Sequence, residues 1–251
     1  MASKLKHLSR IIGHGILRRV RAHEMFLPDL TEDDLKLISA VKPYTMTSVE
    51  RIYGLINATR YVVTNQIPGD VVECGVWKAG SIMAAAKTLL AMGSTERDLY
   101  LYDTFAGMTP PTEKDVTGFE ARTAEKSYEL NKDGEICKWA YAPFEEAQRN
   151  IFSTGYPKEK IHFIVGPVEK TLTQRVPDRI ALLRLDTDFY DSTRAEMQHL
   201  YPKLSSGGVI IVDDYGHWQG AKTAVDEYLA ENKIKLLLNR LDYTGRIGIK
   251  L

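Results

Sequence analysis

Four carboxylates stand at the ends of two apolar runs. Leu182-Leu183-Arg184-Leu185 leads into Asp186-Thr187-Asp188, and Val209-Ile210-Ile211-Val212 leads into Asp213-Asp214-Tyr215. Apolar runs of this length read as buried strands. If the two strands are adjacent and parallel, Asp186, Asp188, Asp213 and Asp214 reach one rim of the sheet. Like charges that close repel one another unless something compensates, and a hard divalent cation such as Mg²⁺ or Ca²⁺ does so with oxygen ligands. Only some of the four can be ligands. A remaining one is free to act as general base beside a cation that acidifies a bound hydroxyl. A single strand-end aspartate often does no more than cap the helix that follows. Two pairs at successive strand ends favour metal binding over capping.

A second constellation lies upstream. Gly69-Asp70-Val71-Val72-Glu73-Cys74-Gly75-Val76-Trp77-Lys78-Ala79-Gly80-Ser81 reads as a strand, a glycine-bearing turn and the start of a helix carried by Ile82, Met83, Ala84, Ala85, Ala86, Leu89 and Leu90. Such a turn leaves backbone N–H groups at a helix N-terminus, and Glu73 adds an acceptor carboxylate. The mixture suits a ligand that carries an amino group and a carboxylate. The spacing is not the Gly-x-Gly-x-x-Gly of a dinucleotide fingerprint, and taken alone it also fits a strand–helix corner that needs glycine for packing. Leu99-Tyr100-Leu101-Tyr102-Asp103-Thr104-Phe105 reads as the next strand, ending in an acid. Asp103 lies roughly 20 residues beyond Gly80, the offset at which an acid in this arrangement grips ribose hydroxyls. The two features together point to an adenosine-type cofactor.

These residues need a sheet to hold them. The pattern predicts strands at 70–75, 98–104, 160–165, 180–186, 208–213 and 234–240, alternating with helices at 81–92, 143–153, 192–204 and 219–231. Near-continuous apolar strands alternating with helices imply a mainly parallel sheet covered on both faces. Thr193-Arg194-Ala195-Glu196 has the form of a capping box. The chain closes with Leu236-Leu237-Leu238 and Ile247-Gly248-Ile249 around Asp242-Tyr243-Thr244-Gly245, a hairpin signature. Ahead of the first strand, Thr31 with Asp34 marks a helix start, and Val49, Ile52, Tyr53, Ile56 and Thr59 mark a further helix to about Asn65. Residues 1–24 alternate Lys and Arg with Leu, Ile and Val, a basic amphipathic arm that Gly13 and Gly15 weaken; it reads as a terminal arm that packs on a partner subunit or frays, rather than as a membrane-surface helix. Domain limits follow: a helical N-terminal part over 1–68 and an α/β domain over 69–251. An insertion at about 106–142, rich in Gly, Pro and charge and bearing Phe119, Tyr128, Trp139 and Tyr141, follows a strand's C-terminal end and reads as a lid, with a solvated excursion as the alternative.

Composition narrows the partners. Lys plus Arg equals Asp plus Glu at 33 each, which gives no support to nucleic-acid binding. The two cysteines, Cys74 and Cys137, make no disulfide framework and fit a reducing, cytoplasmic setting. No apolar run approaches the ~18 residues of a membrane span, and the basic N-terminus lacks a signal peptide's apolar core.

At this point the residues resemble a known family. Glu73-Cys74-Gly75-Val76-Trp77, Asp103-Thr104-Phe105, Arg184-Leu185-Asp186-Thr187-Asp188-Phe189-Tyr190 and Asp213-Asp214-Tyr215-Gly216-His217-Trp218 look like the macrocin and mycinamicin O-methyltransferases, a family that also holds the noviose 4-O-methyltransferase of aminocoumarin biosynthesis. The resemblance runs from about Pro43 to Glu231. It implies the Rossmann-like class I methyltransferase fold, with a seven-stranded, mainly parallel sheet, a C-terminal antiparallel hairpin and extra N-terminal helices. It implies S-adenosyl-L-methionine and Mg²⁺ as cofactors, and a glycosylated small molecule, from an antibiotic or a glycan, as methyl acceptor. Asp186, Asp213 and Asp214 would hold Mg²⁺, and Asp188 would take the acceptor proton. Thr45, Met46, Glu73, Gly75, Trp77, Asp103, Thr104, Gly166 and Asp186 would bind the cofactor, with Thr45-Met46-Thr47 closing over its methionine end. Tyr215, His217 and Trp218 would border the acceptor. Gly166-Pro167-Val168 departs from the Gly-Trp-aromatic of some members, where adenine contacts are made. Three other readings stand beside this one. An NAD-dependent oxidoreductase shares Asp103 but leaves the aspartate clusters unexplained, a metal-dependent hydrolase leaves Glu73 and Asp103 unexplained, and a non-catalytic member leaves the intact carboxylate set unexplained.

Overall fold

The computed structural model describes residues 29–251. The basic arm, and the dimer contact expected of it, lie outside the described residues. Helix α1 (Glu32–Val41) starts at the capping box read in the sequence: Asp34 N donates to Thr31 Oγ1 at 3.2 Å, and Thr31 N donates to Asp34 Oδ2 at 2.9 Å. Helix α2 (Val49–Thr64) follows, its Ser48 hydroxyl accepting from Arg51 N. No described helix is long and apolar enough to cross a membrane.

The chain then alternates. Strand β1 (Asp70–Cys74) leads to α3 (Gly80–Ala91), and β2 (Leu99–Asp103) leads to the insertion. The insertion carries α4 (Ala124–Asn131) and a small hairpin of β3 (Lys132–Asp133) and β4 (Ile136–Cys137). Next come α5 (Phe144–Phe152), β5 (Ile161–Val165), α6 (Val168–Thr171), β6 (Ile180–Leu185), α7 (Tyr190–His199), β7 (Leu204–Val212), α8 (Gln219–Glu231), β8 (Asn239–Arg240) and β9 (Arg246–Ile249). Seven strands form one sheet in the order β5-β2-β1-β6-β7-β9-β8, parallel except where β9 pairs with β7 and with β8.

Consecutive residues of the inner strands enter opposite cores. Val71, Leu182 and Ile211 face α1, α2 and α3, while Val72, Leu183 and Ile210 face α7 and α8. Burial on both faces is why these strands read as continuous apolar runs. The strand order reverses between β1 and β6, so a crevice opens above their C-terminal ends, where open α/β sheets bind ligands.

Three local expectations are corrected. Thr193-Arg194-Ala195-Glu196 does not start a helix: α7 begins at Tyr190, and Thr193 and Glu196 are buried within it. That helix ends at His199, short of 204, where β7 already begins. The run at 234–240 is strand only at Asn239–Arg240. Leu236 and Leu238 pack toward the second core, and Leu237 O lies over Gly248, where a side chain on β9 would collide with it.

Gly75 ends β1 with φ +81°, and a Cβ there would stand 1.9 Å from the Asp186 carbonyl oxygen. Gly93 has φ +67° with no atom within 4 Å of a would-be Cβ. Gly93→Ala therefore carries only the left-handed backbone cost, about 1 kcal/mol. Gly75→Ala adds a backbone clash and should cost about 3 kcal/mol or more in urea unfolding. Equal losses at the two sites would refute the close approach of β1 and β6.

Candidate active site

Arg184 lies in β6, opposite Glu73 of β1 in the sheet register. Both are buried. Arg184 Nη1 donates to Glu73 Oε1 at 2.6 Å and stands 2.8 Å from Asp186 Oδ2, while Nη2 donates to Asp213 Oδ1 at 2.7 Å and to Thr47 Oγ1 at 3.0 Å. Glu73 Oε2 accepts from Ile82 N at 3.1 Å, fixing the first turn of α3. Burial pushes the Glu73 carboxyl up to about 7 against the pull of Arg184. Glu73 lines neither cleft described below; it acts behind the wall, through Arg184 and the helix.

Two clefts open above the strand ends. The first, about 670 Å³, is walled by Met46, Gly75, Trp77, Asp103, Thr104 and Gly166, with Glu169 toward one end. Asp103 Oδ2 accepts from Val76 N at 2.6 Å and Trp77 N at 2.8 Å, and Oδ1 accepts from Phe105 N at 2.7 Å. One acceptor site on Oδ1 is left over. Burial raises the Asp103 carboxyl, and the three N–H donors pull it back. Trp77 is held by its indole N–H on Tyr141 O at 3.1 Å, and the Thr104 hydroxyl donates to Gly107 O at 2.7 Å.

The second cleft, about 850 Å³, holds the carboxylates. Its walls include Thr45, Arg51, Trp139, Asp213, Asp214, His217, Trp218 and Tyr243. Gly75, Asp186 and Asp188, with Met46 and Trp77, line both clefts. One oxygen each from Asp186, Asp188 and Asp214 lies within 4.8 Å of the others. Burial raises all three acids: Asp186 and Asp214 well above their usual range and Asp188 to about 7. Asp214 Oδ2 is buried without a hydrogen-bond partner. A set of hard oxygen donors around an unsatisfied carboxylate oxygen fits a hard divalent cation. Asp213 is drawn elsewhere, its Oδ1 on Arg184 and its Oδ2 on Arg51 Nη1.

The remaining expected residues divide. Thr45 Oγ1 donates to Thr47 Oγ1 at 2.7 Å and lies 3.2 Å from Ser81 Oγ, which ties the 45–47 segment to α3. His217 stands edge-on to Trp218, ring centroids 5.0 Å apart, and burial together with Arg51 lowers its pKa. Trp218 forms an aromatic wall with Trp139 and Phe189. Tyr215 lines neither cleft: its hydroxyl donates to Asp226 of α8 at 2.7 Å, and the Arg246 guanidinium lies over its ring. The sequence assigns no site role to Arg51, Arg184 or Tyr243, and places Trp139 only in the insertion. Only Arg184 carried a signal, a charge inside an otherwise apolar strand.

Residues 32–247 match the macrocin-O-methyltransferase (TylF) family model. The chain is 32% identical over 202 residues to the demethyldecarbamoylnovobiocin O-methyltransferase of Streptomyces niveus, covering 80% of this chain and 74% of that enzyme. It is 30% identical over 202 residues, with the same coverage, to the 8-demethyl-8-(2,3-dimethoxy-alpha-L-rhamnosyl)-tetracenomycin-C 4'-O-methyltransferase of Streptomyces olivaceus. Among solved structures, the O-methyltransferase NovP matches with a TM-score of 0.71 and 30% identity over 82% of each chain. The chain belongs to the macrocin O-methyltransferase family and has the class I methyltransferase fold. These matches lend no support to an NAD-dependent oxidoreductase.

Beneath the first cleft, Glu196 accepts from the Thr187 hydroxyl at 2.9 Å, and its Oε2 is buried without a partner. Burial raises this carboxyl to about 8. The folded state therefore keeps a proton that the unfolded chain releases near its ordinary glutamate value. Stability from this group is full below that value and falls as pH rises toward 8. Glu196→Gln keeps the acceptor oxygen and removes the titration. It should raise the melting temperature at pH 8 more than at pH 5, and an equal gain at both pH values would refute the assignment.

Proposed function

We propose that this macrocin-O-methyltransferase-family enzyme moves the methyl group of S-adenosylmethionine to a hydroxyl of a glycosylated small molecule, with a divalent cation such as Mg²⁺ at its carboxylate cluster. The observation that carries the reading is the junction of the two clefts at Gly75, Asp186 and Asp188. A donor in the first cleft and an acceptor in the second would face each other across these residues.

In the first cleft Thr45 and Met46 would close over the methionine end. Gly75 and Trp77 would support its chain, and Asp103 Oδ1 would accept from a ribose hydroxyl beside Thr104. Gly166, with φ +133° and its N–H on Asp103 O, keeps the far wall thin enough for a flat base. In the second cleft the rings of Trp139, Trp218 and His217 offer flat faces to the C–H side of a sugar, while Tyr243 offers a hydroxyl. The rhamnosyl group in one relative's name supports a sugar acceptor.

When bound, a divalent cation would stabilise negative charge on the acceptor oxygen. Asp186 and Asp214 would hold it, with Asp213 as the third carboxylate. Asp188, at the junction, would receive the hydroxyl proton. As that O–H bond breaks, the acceptor oxygen forms its bond to the methyl carbon and the C–S bond breaks. The sulfonium charge is thereby lost, and S-adenosylhomocysteine leaves as a neutral thioether. Holding both partners in line in adjoining clefts supplies much of the rate.

Calorimetry with S-adenosylhomocysteine should show micromolar binding to the wild type and to Asp188→Asn alike. Turnover of Asp188→Asn should fall about 100-fold or more, and near-normal turnover would refute the base. Chelator should abolish wild-type activity and Mg²⁺ restore it. Failure to bind S-adenosylhomocysteine would overturn the reading.

A further inference from the structure

Arg51 sits in the first turn of α2, on the wall of the second cleft. Its Nη1 donates to Asp213 Oδ2, and its Nε stands 2.9 Å from Asp242 Oδ2. Asp242 is itself well held: it accepts from Ser48 Oγ at 2.8 Å, Gly245 N at 2.7 Å and Thr244 N at 2.9 Å. The contact of Arg51 to Asp242 is less complete than its hydrogen bond to Asp213. Arg51 Nε is buried yet makes no aligned hydrogen bond, and Asp214 Oδ2, in the adjoining residue, is buried with no donor. A guanidinium on Asp213 thus leaves two buried polar atoms unsatisfied within one site, and each such atom costs about 1–3 kcal/mol.

The charges around this point are unequal. Glu73, Asp186, Asp188, Asp213 and Asp214 face two guanidiniums, Arg184 and Arg51. Arg184 is locked in the sheet by four polar contacts on three strands and on Thr47. Arg51 reaches in from a helix, on the wall of the cleft, with Asp242 as a second partner already 2.9 Å from its Nε.

We infer that Arg51 and the divalent cation compete for Asp213, and that the Arg51 guanidinium swings off Asp213 Oδ2 toward Asp242 as the cation is taken up. The inference rests on the metal reading above. It explains how Asp213 becomes free to complete a ligand set with Asp186 and Asp214, so that Asp188 stays available for the proton. Arg51 then holds the carboxylates together before the cation arrives and sets the affinity with which it is kept. Ser48 and Asp242 pin the start of α2, so the swing is a movement of the side chain alone.

The test uses the full chain. Mn²⁺ binding is titrated by electron paramagnetic resonance in the wild type and in Arg51→Gln. The variant should bind Mn²⁺ at least tenfold more tightly. In the wild type, arginine side-chain NMR during a Mg²⁺ titration should show the Arg51 Nη hydrogens exchanging faster with water as the site fills. That second measurement decides alone if Arg51→Gln does not fold. Equal Mn²⁺ affinity in both proteins would overturn the competition and leave the metal reading intact. Unchanged or slower exchange at Arg51 would also overturn it, since tighter binding in the variant would then reflect only charge at a distance. If neither protein binds Mn²⁺ while both bind S-adenosylhomocysteine, the metal reading itself fails and the competition falls with it.

Discussion

The site depends on one buried guanidinium. Arg184 is placed in the middle of the sheet, where an unpaired charge is not tolerated, and every group around it answers that constraint. Glu73 approaches from β1, Asp213 from the end of β7, Asp186 from its own strand, and Thr47 from the segment before α2. Removing one partner of such a pair leaves the other charge buried, at a cost of about 3–5 kcal/mol. The network therefore fixes the relative height of three strand ends and of the 45–47 segment. Because Glu73 also accepts from Ile82 N, the same network sets the first turn of α3. Arg184 contributes to both clefts mainly by this positioning.

Parallel pairing turns this local constraint into a site. Glu73, Arg184 and Ile211 stand side by side across β1, β6 and β7, and after one more paired row, Cys74, Leu185 and Val212, the three chains leave the sheet together. Gly75 passes against the Asp186 carbonyl so closely that no side chain fits between them. Both residues line the two clefts. A larger residue would separate β1 from β6 and with them the two chambers that must meet for a group to cross.

Much of this was legible in the sequence, for a physical reason. The inner strands are apolar on both faces, so they stand out as runs. The alternation with helices then implies a mainly parallel sheet, and the two aspartate pairs stand out at the strand ends, but the strand order itself comes only from the structure. The capping box at Thr31 and Asp34 was legible because it is local. The same pattern at Thr193 and Glu196 misled, because the start of α7 is set from elsewhere. Asp115, in the insertion, accepts from Tyr190 N at 2.7 Å and fixes the helix there. Tyr215 misled in the same way, since Asp226 and Arg246 turn it from the cleft. Arg51 could not be found by local reading, because its partners Asp213 and Asp242 come from the other end of the chain.

Asp115 also bears on the chemistry. It is fully buried, its second oxygen accepts from Thr112 N and the Thr112 hydroxyl, and Gly220 of α8 packs against it with no room for a side chain. The insertion read as a lid is thus anchored at this point to α7 and α8. Its other parts reach the clefts as Gly107, Met108 and Thr109 in one and Trp139 in the other. Asp188 stands two residues before Tyr190, with φ +68°, a conformation unfavourable for an ordinary side chain but tolerated by aspartate. Phe189 N donates back to Thr187 O at 2.8 Å, and Asp115 holds the next N–H. The backbone of Asp188 is therefore clamped from both sides, on one by the strand end and on the other by the insertion. A carboxyl at the junction of two clefts has to be aimed rather than merely present, and the segment that lines part of both clefts is also the segment that aims it.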